Sequence, residues 1–179
     1  MDATTADLRA LVEVHEPASP REAAAKERFL AELSALRAPC DERADPTHVT
    51  ASGIVVGSRG TVLHLHKRLG IWMQPGGHVD AGEVPAEAAR REATEELGLA
   101  VEHPESGPLL IHLDVHDAAH GHTQLDLRYL LIGRDDDPQP PPDESPYARW
   151  CSGDEAFAMA DPALVEALPL VRAAYEALV

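Results

Sequence analysis

The chain has 179 residues, and its 15 Lys and Arg against 31 Asp and Glu give a formal net charge of −16. A chain of this length is typical of one domain with a sizeable core, and a hydrophobic share of 44% excludes a disordered acidic chain. The excess of anions argues against binding to a nucleic-acid backbone, which depends on Lys and Arg. No apolar run reaches the roughly 18 residues of a membrane span, so we expect no membrane association.

The first residues and the cysteines indicate a reduced, cytoplasmic protein. Residues 1–7 contain neither the basic start nor the apolar stretch of a secretory signal. Cys40 and Cys151 lie far apart and in no CxxC spacing, which argues against a disulfide framework and a zinc ribbon. An acidic protein of this kind needs a metal cation or a local basic pocket if it is to handle phosphates.

Two helices are predicted near the N-terminus. The first covers Asp7 to Val14. The second begins at Ser19-Pro20-Arg21-Glu22, where Ser and Glu three positions apart predict a capping box, and it continues to Arg37. The polar segment 39–46, bounded by prolines, is typical of a connector.

Short runs of strand-forming residues follow the connector and alternate with turn signals. Val49 to Val56 and Thr61 to His66, joined by the turn Gly57-Ser58-Arg59-Gly60, predict a hairpin. After a Gly-rich loop, Val84 to Leu97 predicts a helix that stops at Gly98. Two further strands are predicted at Leu109 to Val115 and Leu125 to Ile132.

The C-terminal part is predicted to hold a loop, a strand and two helices. Residues 135–146 are acidic and rich in proline, which indicates an extended, exposed loop. Tyr147 to Cys151 follows as a strand, and capping signals at Ser152 and at Asp161-Pro162 each begin a helix. The segment after the loop is too short to fold alone. The prediction is therefore one domain over residues 1–179, with 1–46 as a helical extension and 47–179 as the core.

The predicted helix at 84–97 carries an unusual charge pattern. At about 100° per residue, Glu92, Glu95 and Glu96 share one stripe, and like charges three or four apart each cost an isolated helix roughly 0.2 to 0.5 kcal/mol. The pair Glu87 and Arg91 is the evident ion pair at i,i+4. A solvated acidic face is one interpretation. A divalent cation would remove the repulsion, and three or four oxygens suit a hard ion such as magnesium. An adjacent narrow apolar face consists of Ala86, Ala89, Ala93 and Leu97.

The residues around this helix resemble a complete Nudix box, which spans 23 residues from Gly77 to Leu99. The order of hairpin, Gly-rich loop, box helix and further strands is also similar to the Nudix fold. The resemblance implies an α/β (α+β) sandwich with a mixed β-sheet between helices, here with N-terminal helices added. The matching positions are Gly77, Glu83, Arg91-Glu92-Ala93, Glu95-Glu96, Gly98 and Leu99.

The resemblance implies hydrolysis of a nucleoside diphosphate linked to another group, by attack of water on phosphorus. Magnesium would neutralise the phosphoryl oxygens, with manganese able to substitute, and a carboxylate would help to deprotonate the water. By match to the box, Arg91 would fix the carboxylates by an ion pair, and Glu92 or Glu96 would act as the base. The implied metal-binding residues are Glu92, Glu95 and Glu96, Glu83 directly or through water, and the carbonyl of Gly77.

Several candidate residues lie outside the box. Glu144 precedes Trp150 by six residues, as the Glu and Trp before the last Nudix helix often do, and would reach back to the metal or serve as base. Trp72 and Trp150 either pack in the core or stack on a nucleobase. The candidates for phosphate contacts, with ordinary surface placement as the alternative, are His66, Lys67, Arg68 and Arg128.

A group of histidines leaves two interpretations open. His112, Asp114 and His116 alternate along one strand face, and His120 and His122 follow in the connection. Imidazole and carboxylate suit a zinc site, but a polar pocket wall is the preferred interpretation, because the box already supplies oxygen ligands for magnesium.

The leading hypothesis is a magnesium-dependent pyrophosphohydrolase of a small nucleotide-type substrate. A ligand-sensing, non-catalytic Nudix module is the first alternative, although the intact box and the lack of a basic motif argue against it. An enzyme like isopentenyl diphosphate isomerase is the second, but Cys40 and Cys151 lie outside the motif context that its chemistry requires. The sequence leaves the substrate undetermined, and it leaves a homodimer open.

Overall fold

The computed structural model describes residues 4–118 and 121–178, which form a mixed β-sheet with helices on both sides. None of the helices in these ranges is long and apolar enough to cross a membrane. The helices are α1 (Thr5–Val14), α2 (Pro20–Leu33), α3 (Pro85–Leu97), α4 (Gly153–Met159) and α5 (Pro162–Leu178). The strands are β1 (Thr47–Gly57), β2 (Gly60–Leu65), β3 (Trp72–Met73), β4 (Gly76–His78), β5 (Val101–Glu102), β6 (Leu109–Asp117), β7 (Thr123–Gly133) and β8 (Ala148–Cys151).

The centre of the sheet is the long parallel pair β1 and β7, in register from Thr47 opposite Thr123 to Val56 opposite Ile132. The predicted hairpin joins β1 to β2 in antiparallel order, and β4 runs antiparallel to the first half of β1. On the far side, β5 and β6 pair antiparallel with β7, whereas β3 and β8 pair with β2. The mixed sheet between helices is therefore confirmed.

The helix α3 packs closely on β1 because small residues meet at their contact. Its buried face contains the predicted Ala86, Ala89, Ala93 and Leu97. On the strand, Gly53 faces this helix, and a Cβ there would lie 3.2 Å from the carbonyl oxygen of Ala89. The helix begins with Pro85 and ends at Gly98, which has the left-handed φ of +57°. The adjacent stripe of α3, which carries the glutamates, is thus held at a fixed distance from the sheet.

The helix α2 covers the free edge of β6, and its predicted capping box forms only in part. The hydroxyl of Ser19 accepts the backbone N–H of Glu22 at 3.0 Å, as predicted. The carboxylate of Glu22 does not return to Ser19. It accepts N–H bonds from Ala18 at 2.7 Å and from Leu113 of β6 at 3.0 Å, and it lies 2.7 Å from Nε2 of His15. An unpaired edge-strand donor is satisfied in this way.

The predicted extension of α2 to Arg37 is wrong, because the helix ends at Leu33. Beyond that residue the backbone tightens into i→i−3 hydrogen bonds, from Ala35 to Glu32 and from Leu36 to Leu33. Such turns are common at helix ends. The chain therefore leaves α2 four residues earlier than predicted and enters the connector.

The acidic, Pro-rich loop is anchored to α3 and to the strands beneath it. The backbone N–H of Gln139 donates to the carbonyl of Leu97 at 2.9 Å, and the indole of Trp150 donates to the carbonyl of Asp136 at 2.9 Å. A Cβ at Gly98 would overlap the carbonyl group of Gln139. Trp150 is buried, in agreement with the packing interpretation. The residues Asp135 to Asp137 are exposed.

Candidate active site

Arg91 lies among the carboxylates of the box and contacts three of them. Its Nη2 is 2.9 Å from Oε2 of Glu83, and its Nη1 is 2.8 Å from Oε1 of Glu92 and 3.2 Å from Oε2 of Glu95. Nη2 also donates to the carbonyl of His78 at 3.0 Å. One guanidinium therefore connects the start of the box, before α3, with the acidic stripe of the helix.

The predicted i,i+4 pair of Glu87 and Arg91 is wrong. Glu87 pairs instead with Arg90 at i,i+3, at 2.9 Å. Arg91 turns the other way because the short turn before α3, with an N–H bond from Glu83 to Asp80, brings the Glu83 carboxylate within reach. On the other side of the guanidinium, Nη1 of Arg91 contacts two further carboxylates, Glu92 and Glu95.

Glu96 is an enclosed carboxylate of the cluster, with a side chain that is 17% exposed. Its Oε2 accepts the backbone N–H of Gly76 at 2.9 Å and lies 3.9 Å from Nε2 of the buried His64. Burial raises the pKa of Glu96 to about 8, and the nearby Glu92 and Glu144 add to this against the opposing Gly76 hydrogen bond. The cluster thus holds carboxylates that resist ionising together.

Glu92 lies directly over Gly77. A Cβ at Gly77 would be 2.6 Å from the carboxyl carbon of Glu92, so any larger residue would displace this carboxylate. Burial raises the pKa of Glu92, while the contact with Arg91 opposes the increase. The glycine therefore keeps a space open beside the carboxylate, on the strand β4 that faces α3.

The loop after β2 carries three of the four predicted phosphate contacts. His66 is half-buried and accepts the backbone N–H groups of Arg68 and Leu69 with its Nδ1, each at 3.2 Å. Lys67 donates to the carbonyl of Asp143, which joins this loop to the acidic loop. Arg68 is exposed. The ring of His66 lies 6.4 Å from the ring of His64, which in turn approaches Glu96.

The predicted Glu144 lies at the junction of these two loops. Its charge opposes the fall in the pKa of His66 that burial causes, and it contributes to the raised pKa of Glu96. The backbone of Glu144 closes a turn on the carbonyl of Pro141 at 3.0 Å. The structure thus brings Glu144 to the box carboxylates although it lies 48 positions after Glu96 in the sequence.

The fourth predicted phosphate contact, Arg128, is placed elsewhere. It is 2% exposed, and its Nε and Nη2 donate to Asp126 at 3.0 Å and to Asp114 at 3.1 Å. Asp114 also lies 2.9 Å from Nη2 of Arg21 on α2 and 3.0 Å from Nδ1 of His116. Arg128 therefore belongs to a buried ion-pair network on β6 and β7, which we call the β6–β7 network and define as Arg21, Asp114, His116, Asp126 and Arg128.

The chain was compared with known families and solved structures. Residues 46–172 match the NUDIX domain family. The chain belongs to the Nudix hydrolase family. Its fold is similar to a NUDIX-family hydrolase from Clostridium perfringens (28% identity, TM-score 0.60, 71% of this chain and 97% of that one). It is also similar to a MutT NUDIX hydrolase from Burkholderia pseudomallei (27% identity, TM-score 0.55, 70% and 96%).

A third solved structure resembles the chain over nearly its full described length. It is a UDP-X diphosphatase, with 15% identity, a TM-score of 0.56 and coverage of 98% of this chain and 97% of that one. At this identity the likeness concerns the fold alone. Because the match includes the region before residue 46, the N-terminal helices are part of the shared fold.

Nudix hydrolases typically use divalent metals, and the residues of this Nudix box fit such an ion. The donors are carboxylate oxygens, which hard cations prefer, and Gly77 leaves open the space that a Cβ would fill beside Glu92. Within residues 4–118 and 121–178, no group of three or more His, Cys, Asp or Glu side chains is already gathered for a metal. Arg91 instead holds three of the carboxylates.

The absence of such a group in the described ranges also bears on the alternative interpretation of His112, Asp114 and His116 as a zinc site. Both ring nitrogens of His116 already have partners, Asp114 and Gln124, each at 3.0 Å. His112 is fully buried, and neither of its ring nitrogens has a hydrogen-bond partner among the described residues. Burial lowers the pKa of His112 to about 4. His120 lies outside the described residues, and the ring of His122 is 5.2 Å from that of His48.

Sequence reasoning missed two features of the Nudix site. The ion pair of Arg91 with the box carboxylates was expected, and Glu95, four positions along the helix, is one of its partners. The approach of His64 to Glu96 was not, because it depends on the packing of β2 beside α3. The carbonyl of His78 was likewise not expected as a partner of Arg91.

Proposed function

We propose that this Nudix protein is a magnesium-dependent hydrolase, with manganese able to substitute, that cleaves a pyrophosphate linkage in a nucleoside diphosphate derivative. Water attacks phosphorus in the proposed reaction. One observation carries the proposal: Glu83, Glu92 and Glu95 share the guanidinium of Arg91, and Glu96 is a fourth carboxylate whose pKa is raised by burial and by Glu92 and Glu95. Such an excess of negative charge in a half-buried site favours divalent cations and the phosphates that accompany them.

Glu92, Glu95 and Glu96 are proposed as the residues that hold the metal, with Glu83 contributing directly or through water. When bound, a divalent ion supplies charge neutralisation at the phosphoryl oxygens and a lower pKa of the attacking water. Gly77 leaves room beside Glu92 and is proposed to present its carbonyl. Arg91 positions Glu83 and Glu92 relative to each other.

Proton transfer from the attacking water is proposed for Glu92 or Glu96. Both carboxylates have raised pKa values, and a base whose pKa approaches the working pH is the most effective proton acceptor. Glu144 faces Glu96 from the acidic loop and is the next candidate. His66, Lys67 and Arg68, on the neighbouring loop, are proposed to contact the substrate phosphates.

The relatives support the substrate class. The UDP-X diphosphatase, which shares the fold over 98% of this chain, is named for a nucleoside diphosphate joined to another group. The predictions of a single domain over residues 1–179, a cytoplasmic location and a small nucleotide-type partner remain part of the proposal. A homodimer stays open.

The test is a phosphate-release assay with magnesium against nucleotide sugars, ADP-ribose, dinucleoside polyphosphates and nucleoside triphosphates. Glu96→Gln and Glu95→Gln are expected to abolish turnover without unfolding the protein, because each removes a proposed metal ligand and relieves like-charge repulsion. Glu87→Gln is the matched control on the same helix, since Glu87 pairs with Arg90 outside the cluster. Near-wild-type rates in both test variants, or no turnover of the whole panel by the wild type, would contradict the proposal.

A further inference from the structure

A large cavity lies between the N-terminal extension and the first turn of the Nudix box. Its volume is about 870 Å³, which is within the range of roughly 300 to 1,000 Å³ typical of small-molecule sites. One wall is the segment 37–43, which includes the start of the connector. The facing wall is the box segment 78–83, and the start of α1 lies between them. The cavity therefore exists only because the extension packs beside the box.

This cavity is continuous with the carboxylate cluster through two shared residues. Glu83 lines the cavity and is 2.9 Å from Arg91, which also contacts Glu92. His78 lines the cavity as well, and its carbonyl accepts a hydrogen bond from the same guanidinium. A group attached to a phosphate at the Nudix carboxylates thus has a protein-lined space next to it, on the side of Glu83.

The polar lining of the cavity offers both hydrogen-bond donors and acceptors. Arg37 and Arg43 lie on the connector wall, and among the described residues neither guanidinium has a hydrogen-bond or ion-pair partner. Carboxylates stand on both walls, including Glu42, whose Oε2 is 3.1 Å from Nε2 of His78, and Asp80. Donors without partners beside acceptors suit a ligand that carries many hydroxyl groups.

The chemistry of the lining also excludes other ligand classes. No Phe, Tyr or Trp is present among the described lining residues, and the imidazole of His78 is already paired with Glu42 and packed against the ring of His48, so a nucleobase would find no free aromatic ring to stack on. An anionic group would meet several carboxylates. A neutral polyol needs no stacking partner and is not repelled by the carboxylates. The apolar surfaces of Ala38, Pro39 and Ala81 can contact the carbon face of a sugar ring.

We propose that this cavity binds the sugar of a nucleoside diphosphate sugar, with Arg37 and Arg43 donating to its hydroxyl groups. The inference rests on the proposed function and specifies its substrate class. It also gives the N-terminal extension a role, because one wall of the sugar site comes from the connector.

The test compares UDP-, ADP- and GDP-linked hexoses with the matching nucleoside triphosphates, which contain the nucleoside and phosphates but no sugar beyond them. For the double variant R37Q/R43Q, KM for the cleaved nucleotide sugar is expected to rise at least about tenfold, because charge-assisted hydrogen bonds are lost. KM for the triphosphate is expected to stay within about twofold. Ala38→Phe fills the cavity without removing a charge and is expected to have the same effect. Arg134→Gln, at an exposed arginine outside the cavity, is the control.

The possible results distinguish a failure of the sugar-site inference from a failure of the proposed function. Equal increases in KM for sugar nucleotide and triphosphate would place the shared nucleoside in the cavity and overturn the inference. No increase in either, or a wild type that cleaves triphosphates but no nucleotide sugar, would also overturn it while leaving hydrolysis intact. If the wild type cleaves nothing, binding of the same nucleotide sugars is measured by titration calorimetry without metal. Binding that R37Q/R43Q abolishes would then support the cavity and contradict the proposed hydrolysis, and binding that the variant retains would contradict both.

Discussion

Two clusters of this molecule both combine carboxylates with arginine, and they have opposite electrostatics. In the Nudix box, Arg91 contacts the carboxylates of Glu83, Glu92 and Glu95, and burial together with mutual repulsion raises the pKa of Glu96 to about 8. In the β6–β7 network, burial also raises the pKa of Asp114, but contacts with His116, Arg128 and Arg21 lower it well below its usual range. Each carboxylate of the second cluster alternates with a donor.

The difference is informative about function. A buried carboxylate whose negative charge is matched by neighbouring donors contributes to the fold, and its loss leaves a cation buried without a partner. Carboxylates whose charge exceeds that of their neighbours are poorly stabilised without an added cation, which is typical of a functional site. The comparison therefore supports a binding role for the box and a structural role for the network, and the following substitutions test these two roles.

The largest effect is expected from Glu92→Gln. Turnover should fall by roughly 10² to 10⁴, with a smaller effect on KM, as is typical of lost acid–base assistance. The melting temperature should stay the same or rise, because one of the crowded charges is removed. Steady-state kinetics and thermal unfolding measure both quantities. A change confined to KM would move the base to Glu144 or another loop residue.

Asp114→Asn should have the reverse profile. The free energy of unfolding is expected to fall by about 3 to 5 kcal/mol, because Arg128 loses a buried partner, while turnover per folded molecule changes little. Urea denaturation gives the free energy. The control is Asp117→Asn on the same strand, where the carboxylate is exposed and only 3.4 Å from Arg28, with an expected loss below about 1 kcal/mol. Equal losses in both variants would show that the network adds no special stability.

The pH dependence of stability should reveal Glu22. Burial raises its pKa, but hydrogen bonds from His15 and from the N–H groups of Ala18 and Leu113 outweigh this and lower it to about 2, against 4.5 unperturbed. The lowered pKa stabilises the folded state above pH 4.5 by about 3 kcal/mol, and this is lost as the pH falls from 4.5 to 2. In Glu22→Gln this acid-dependent loss should be smaller by that amount. Parallel curves for wild type and variant, from denaturation at several pH values, would contradict the assignment.

The smallest effect is stabilisation by magnesium. At about 100 times its dissociation constant, an ion that binds only the folded state adds about 2.7 kcal/mol to the free energy of unfolding. Wild type and Asp117→Asn should gain this stability, and Glu92→Gln should gain little of it. The measurement is the melting temperature against magnesium concentration. Equal gains in all three proteins would place the ion outside the Nudix box.

The sequence predicted those parts of the fold that local pattern determines. The limits of α3 follow from its alanine periodicity, Pro85 and the stop at Gly98, and the shared stripe of Glu92, Glu95 and Glu96 follows from helix geometry alone. The Glu22 side chain could not be read in this way. A local pattern indicated a capping box. The carboxylate of Glu22 instead accepts the edge N–H of Leu113, which lies 91 positions away and which no local pattern can indicate. The partners of Arg128 likewise depend on the register of the sheet, which the pattern of its own strand does not determine.

The close approach of Gln139 to Gly98 has a consequence for motion in the active site. Opening of the acidic loop at this point requires breaking a hydrogen bond to α3, because the N–H of Gln139 donates to the carbonyl of Leu97 and the loop backbone lies where a side chain at residue 98 would be. Displacements of this part of the loop must therefore be correlated with displacements of the helix that carries Glu92 and Glu96. Glu144 lies five residues further along this loop, so the contact at Gln139 also links Glu144 to the helix that carries the proposed metal ligands.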